Sequence, residues 1–458
     1  MKLTKDQRKI FYNIFFPALA ENLLLQLFHI ADSVMLGQMP DSTVAVGAVG
    51  LCGAPTNLII ATTGGFFIGV TATIAWLFGA KKPDRLKSVT LTAGLIAFVV
   101  ASLFSSVAIF GAEGIIGFIC KKSEVYDTAL RYFKITAYGH FFQIMTSFIT
   151  ASFRGIGITK MPLLYNLSGA VVNVVLNYMM IYGKCGFPIM REAGAAWATT
   201  ISKIVIFIIA LSIFLFKDTP IRPAKGSRLK WDPIIKSRLL PIGITALIEQ
   251  IIAQSGATIG GKIVGSLPTE AIAVNQIAVQ SENFAWATGG ACQIASTSLF
   301  GRCMGENNEP KARAYLRLIL KCAAICGGAS ALFFLFFGRQ FASLFTNNAA
   351  LYPLAAKILI LSGISLIFIN LHQVLSGALR GAGDSVAPLI SSMSSLWIFR
   401  VGGGILTVWV LGFGLWGYRW SAFADQAMRL VPLALFYLTN HWKKHHRGIN
   451  KKNMPKSQ

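Results

Sequence analysis

Three groups of side chains in this sequence could do chemistry, and all lie in stretches otherwise too apolar to favour them. Asp32, in FHIADSVMLG (28–37), sits at the end of the first long apolar run with no basic residue near it in sequence. An Asp near the middle of a membrane span costs roughly 3 kcal/mol even on lenient insertion scales, so one that is retained points to ion, proton or substrate binding. Glu21 lies eleven residues earlier, which at about 100° per residue is the same helix face about 16 Å away. Gln26 falls between them. The second group is Asn173 and Asn177, one face at i, i+4, with Ala195 and Thr199 at the same spacing on the next apolar run. The third comprises Glu249 in LPIGITALIEQIIAQ, Glu282 in VQSENFAW, and Asp425, whose i, i+4 partner Arg429 reads as an ion pair. Arg400, in SSLWIFRVGGG, has no local partner and is expected to pair with one of these acids or to line a cavity, as is Glu282.

Such residues need a membrane scaffold to hold them. Of 458 residues, 54% are hydrophobic and 13% charged, against about 25% charged in an ordinary soluble domain. Apolar runs of about 20 residues, enough to cross a ~30 Å hydrocarbon core, recur at 12–36, 46–78, 88–112, 128–152, 162–183, 193–216, 239–266, 272–301, 315–338, 352–379, 386–411 and 415–440. The expected fold is an all-α polytopic membrane protein of twelve spans. Polar residues interrupt the basic, apolar N-terminus and no small-residue cleavage site follows it, so it reads as a retained first helix. Seven cysteines make no metal-ligand spacing and read as small buried hydrophobes.

The net charge of +24 is sorted by side. The breaks after spans 2, 4, 6 and 8 collect Lys81, Lys82, Arg85 and Lys87; Arg154 and Lys160; seven bases from Lys217 to Arg238; and Arg302, Lys311, Arg313 and Arg317. The other breaks are neutral or acidic, which places both termini and the even-numbered breaks in the cytoplasm. Topology and anionic lipid account for the basic tail without nucleic acid. TASFRGIGITKMPLL (150–164) and SGALRGAGDSVAPLI (376–390) superimpose half a chain apart, Arg154 on Arg380 and Pro162 on Pro388. Nearby offsets align Pro17 with Pro241 and Gln26 with Gln250. The chain therefore divides into an N-lobe (1–216), a basic cytoplasmic linker (217–238), a C-lobe (239–440) and a basic tail (441–458). Six spans per lobe make the two repeats parallel, about an axis along the membrane normal.

The Asp in ADSVMLG, the paired RGxG turns SFRGIGITKMP and ALRGAGDSVAP, and AGAAWATTIS opening span 6 resemble the multidrug and toxic compound extrusion (MATE) family, over essentially the whole chain. The resemblance implies two six-helix lobes around a central cavity, and exchange of cationic or amphipathic compounds for inward Na⁺ or H⁺. It also implies an N-lobe cation and proton site at Asp32, Asn173, Asn177 and Thr199, with Na⁺ as a candidate ion; the residue matching Asn177 is commonly Asp. Glu249 resembles the span 7 Glu of sodium-coupled members, which pair it with a span 10 Asp. Here FINLHQVLSGALRG has no acid, leaving Asn370, His372 and Gln373 as the polar groups.

Blander readings stand beside these. The two Asn could simply pack spans together, and His29, His140 and His372 read as satisfied histidines rather than relays. The glycines of TTGGFFIG and ATGGACQ permit close helix approach. GxxxxGK[ST], HExxH and GxSxG are absent, so nothing points to ATP hydrolysis or covalent catalysis. The expectation is a monomeric, cofactor-free, ion-coupled antiporter in the cytoplasmic membrane. A lipid or lipid-linked oligosaccharide flippase and a non-transporting receptor or scaffold are the alternatives. Bases inside the spans would favour the anionic substrates of a flippase; apart from Arg400 and Arg429 the spans read as nearly free of them, which favours cations.

Overall fold

The computed structural model describes residues 3–37, 42–120, 125–223, 231–346, 348–440 and 442–443, without the side chains of residues 29–34, 36–37, 42–46 and 120. Among the described residues the chain forms helices and connecting turns and no strand. The N-lobe comprises α1 (Lys5–Gly37), α2 (Ser42–Gly79), α3 (Pro83–Phe110), a short α4 (Ala112–Cys120), α5 (Tyr126–Gly155), α6 (Lys160–Tyr182) and α7 (Arg191–Phe216). The C-lobe comprises α8 (Leu240–Gly265), α9 (Thr269–Gly305), α10 (Glu309–Ser343), α11 (Tyr352–Ala382), α12 (Val386–Ser395), α13 (Gly414–Met428) and α14 (Leu430–Leu438). A π-helical turn, Ile235–Leu239, leads into α8; two more, Leu396–Gly402 and Ile405–Val410, extend α12; and α13 with α14 makes the last span. With α4 set aside these are the twelve expected spans. The offset that superimposes the two RGxG turns also relates the starts of α5 and α11 and of α6 and α12.

Nine helices of the described residues are apolar and long enough to cross a membrane by composition alone. The spans that fall short, α5, α9 and α13 with α14, are where polar side chains can be met by protein instead of lipid. More than half of α9 is buried, and it packs on α1, α2, α10 and α11.

The lobes meet along the ends that carry the basic breaks. There α2 and α9 touch backbone to backbone: a Cβ on Gly79 would run into the Arg302 carbonyl, and one on Gly305 into the Trp76 carbonyl. Higher on α2, a Cβ on Gly65 would lie 2.8 Å from the Ala246 carbonyl and one on Gly69 2.5 Å from the Leu239 carbonyl, so two glycines of TTGGFFIG do permit close approach, whereas Gly64 meets nothing. On α9, Gly289 lies against Asn370 Oδ1 at 2.7 Å by the same measure.

Two expected boundaries move. The linker stops short of 238, because its last residues are already helical and Arg238 is fully buried. Its guanidinium donates to the carbonyls of Gly381 and Ala382 and stacks 5.6 Å from the Trp76 ring. A cation is favourable at those terminal carbonyls of α11, which the macrodipole leaves partly negative. Asp232 clamps the linker to the first basic break through two hydrogen bonds from Arg85, at 2.6 and 2.7 Å. Partial burial pushes the Asp232 carboxyl up, but the Arg85 bonds, the Ile234 amide and the charge of Lys82 outweigh it and hold the carboxyl below its ordinary value. The tail likewise begins inside the protein: Trp442 is fully buried, edge-on to Phe300 at 5.5 Å. Cys52, Cys292 and Cys303 are buried as expected, but Cys185 is exposed.

The α2–α9 contact leaves no room for a side chain at Gly305, and overpacking of this kind costs about 1–3 kcal/mol. Gly305→Leu is therefore expected to lower the melting temperature of the purified protein in detergent. Gly328→Leu, whose Cβ meets nothing within 4 Å, should leave it equal or higher. Similar melting of the two variants would mean that the lobes do not depend on this contact.

Candidate functional site

A cavity of about 780 Å³ lies between the lobes, within the 300–1,000 Å³ typical of small-molecule sites. Its walls come from α1, α2, α5, α6 and α7 on one side and α8, α9, α11 and α12 on the other, with Phe67, Ile206, Trp286 and Leu396 among the apolar side chains. What sets its character is a pair of carboxylates, each in contact with an arginine. In the N-lobe, Glu21 of α1 is 3.0 Å from Arg154 at the end of α5 and accepts a 2.7 Å hydrogen bond from Asn166 of α6. In the C-lobe, Glu249 of α8 contacts Arg380 at the end of α11 and accepts a 2.7 Å bond from Ser392 of α12. All six residues line the cavity.

The repeat generates this correspondence. Arg154 and Arg380 are separated by the same stretch of chain as Asn166 and Ser392, whereas the two acids stand slightly further apart. Pro17 and Pro241, which also align, precede their acids by four and eight residues, so the C-lobe carboxylate stands one turn further along its helix. One helical turn leaves it on the same face, and the long guanidinium stem absorbs the shift.

Two expectations fail here. Glu249 is not an unpaired acid awaiting a cation, and the spans are not nearly free of bases, since Arg154, Lys203 and Arg380 line the cavity and Arg419 is buried in the C-lobe. Hydropathy assigns both RGxG arginines to the breaks after spans 4 and 10. The helices instead run through them, and their side chains turn back into the protein. A scarcity of bases is the ground for preferring a cationic substrate, and that ground is removed.

A second charge network is buried in the C-lobe. Glu282 contacts Arg400 at 3.4 Å and Arg419 at 2.8 Å, while Arg429 holds Asp425 with bonds of 2.9 and 3.0 Å. Arg400 also lies 3.9 Å from Asp425. The expected Asp425–Arg429 pair and an acid partner for Arg400 are therefore both present. Glu282 and Arg400, expected as cavity residues, are absent from its lining, whereas Arg429 faces it.

The remaining expected site residues divide in the same way. Gln26, Asn173, Thr199, His372 and Gln373 line the cavity. Asn177 is buried behind Asn173 and donates to its Oδ1 at 3.1 Å. Ala195 packs on Ile181, and Asn370 is buried with its Oδ1 3.3 Å from the Thr288 hydroxyl. His140 is buried edge-on to Phe133 at 6.3 Å and does not reach the cavity. Asp32 and His29 lie in α1, but their side chains fall outside the described residues, so of the N-lobe cation set only Asn173, Asn177 and Thr199 are described. Among the described residues no three His, Cys, Asp or Glu side chains cluster as a metal site. Sequence reasoning misses Arg154, Asn166, Arg380, Ser392 and Lys203 as cavity residues. A base inside an apolar run, as in TTISKIVIF, is the signal available for Lys203.

The MatE family model matches the chain twice, over residues 17–179 and 245–406. The chain is 27% identical to a probable multidrug resistance protein NorM of Thermotoga maritima, over 95% of this chain and 93% of that one. It is 23% identical to the uncharacterized transporter YisQ of Bacillus subtilis, over 96% of each. A multidrug resistance MATE-family transporter of the MOP superfamily, solved in an outward-facing conformation, superimposes with a TM-score of 0.86 at 20% identity, over 96% of both chains.

Removing one member of a buried ion pair strands the other, at about 3–5 kcal/mol. Arg380→Met should lose stability on that scale in detergent unfolding titrations, and adding Glu249→Gln should restore most of the loss. Strict additivity of the two substitutions would show that the residues do not interact.

Proposed function

Because the chain belongs to the MatE family of membrane transporters, we propose that it exports small amphipathic organic compounds in exchange for inward H⁺ or Na⁺. The observation that carries the reading is the cavity shared by two six-span lobes, with a carboxylate held by an arginine in each lobe. With the basic breaks in the cytoplasm, the contacts of α2 with α9 seal the cavity towards the cytoplasm and the conformation faces outward. Rocking the lobes about this contact would present the same cavity to the other side. The names of the multidrug resistance relatives favour efflux over lipid flipping.

Coupling requires a site that an ion and a substrate-bound state cannot both use. Asp32 is the residue to which this role falls, in α1, which packs on the helices that carry Asn173 and Thr199. Glu249 contributes differently from a free acid: a proton or Na⁺ arriving there competes with Arg380 for the carboxylate, so ion binding frees the arginine and loosens α8 from α11. Neither step forms a covalent bond or uses a cofactor. The protein works as a monomer in the cytoplasmic membrane with both termini inside.

Purified protein in liposomes should drive efflux of a fluorescent amphipath under an imposed pH or Na⁺ gradient and not without one. Asp32→Asn, which keeps shape but cannot ionise, should abolish that efflux while melting at the same or a higher temperature, since a desolvated charge has been removed. Efflux that persists in the variant, or is lost only through unfolding, would exclude Asp32 as the coupling residue.

A further inference from the structure

Lys203 stands apart from every other charge on the cavity wall. Arg154 is paired with Glu21, Arg380 with Glu249, and Arg429 with Asp425. Lys203 lines the same cavity and has no hydrogen bond and no carboxylate within ion-pair distance among the described residues. An ionisable residue inside a membrane protein normally pairs or serves function, and no pairing is made among the described residues.

The two lobes show what is missing. Each presents one base to the cavity from its sixth span, Lys203 from α7 and Arg429 at the junction of α13 and α14. One turn before Arg429 stands Asp425, which neutralises it. One turn before Lys203 stands Thr199, a hydroxyl that also lines the cavity. Among the described residues the N-lobe base thus lacks the carboxylate that its counterpart has one turn earlier.

The placement of the amine is built rather than accidental. The aliphatic stem crosses α5 at Gly139, where a Cβ would lie 2.9 Å from Lys203 Cδ. A side chain at residue 139 would displace the stem. The N-lobe part of the same cavity wall also carries Gln143, Ser147, Asn173 and Thr199, and one turn further along α7 it is apolar at Ile206. A single compact ammonium beside neutral hydrogen-bonding groups suits a monoanion, and the adjoining apolar wall suits the hydrophobic body of an amphipath.

We propose that Lys203 is the anchor for the acidic group of a carboxylate-bearing amphipath, so that the cavity selects acidic or zwitterionic compounds over simple organic cations. Arg154, Arg380 and Arg429 each have a carboxylate in contact, which leaves Lys203 as the lysine or arginine of the described wall without one. This rests on the transport reading only for which cavity the substrate enters; binding can be read without any gradient.

The probes are dansylglycine, a monoanionic aryl carboxylate, and its neutral methyl ester, titrated into purified protein in detergent with fluorescence as the readout. Wild type should bind the acid at least about tenfold more tightly than the ester, a difference of about 1.4 kcal/mol. Lys203→Met should erase the preference with ester binding retained, and Lys203→Arg should keep most of it. Equal affinity of wild type for acid and ester overturns the proposal, as does a preference that survives Lys203→Met. So does a Lys203→Met protein that melts early and is rescued by Asp32→Asn, since the lysine would then be a structural partner of Asp32. Loss of gradient-driven efflux in liposomes with the acid preference intact would count against the transport reading alone.

Discussion

A carboxylate and a guanidinium withdrawn together from water are the constraint on which the rest of this molecule depends. Neither Glu21 nor Arg154 is tolerable alone among apolar spans, and neither is Glu249 or Arg380. Each pair ties the first span of its lobe to the fourth, and the polar residue on the fifth, Asn166 or Ser392, takes up a further carboxylate lone pair. Three helices per lobe are thereby fixed around one buried charge cluster. Because the apolar effect does little to choose partners between helices surrounded by lipid, directional contacts of this kind decide which faces turn inward. The cavity is where those inward faces from the two lobes confront each other.

The architecture is largely legible from residue order. Hydropathy locates the spans, the alternation of basic and neutral breaks orients them, and the RGxG repeat divides the chain in half. Within the site, residues singled out for their chemistry mostly reach the cavity: Glu21, Gln26, Asn173, Thr199, Glu249, His372 and Gln373 all face it. Partners are harder to read than sites. Arg154 precedes Lys160 in a turn that looks cytoplasmic, and only the three-dimensional path of α5 brings its side chain to an acid on the first span. Arg238 is hidden in the same way, as one base in a run of seven, yet among the described ones it is the base that enters the protein. Trp442 carries a clearer mark, a lone indole in a lysine-rich tail, and it is buried as its size demands. Glu282 and Arg400 read as cavity groups because a charge in a span needs either solvent or a partner; they satisfy one another inside the C-lobe.

The lobes share a plan without being interchangeable. The fifth span of the N-lobe is a regular α-helix, while its counterpart in the C-lobe passes through two π-helical segments. A π turn admits an extra residue and rotates the remainder of the helix; Arg400 lies within the first of the two, in contact with Glu282 and near Asp425. The C-lobe interior consequently links three arginines through two shared carboxylates, whereas the N-lobe base on the cavity, Lys203, has no carboxylate partner among the described residues.

The contact between Gly79 and Arg302, and its mirror between Gly305 and Trp76, are the same contact made twice, because the repeat that superimposes Arg154 on Arg380 also superimposes Gly79 on Gly305 and Trp76 on Arg302. Residue i on one side meets j on the other, and j meets i, which is the signature of an isologous interface about a two-fold axis. The surface that joins the lobes therefore has the geometry of a homodimer interface. An interface of this kind is one that two identical six-span chains could form, and joining the halves in one chain lets each carry its own side chains. The unequal charges of the two halves are the divergence that such a fusion permits and that a symmetric pair of identical chains could never hold.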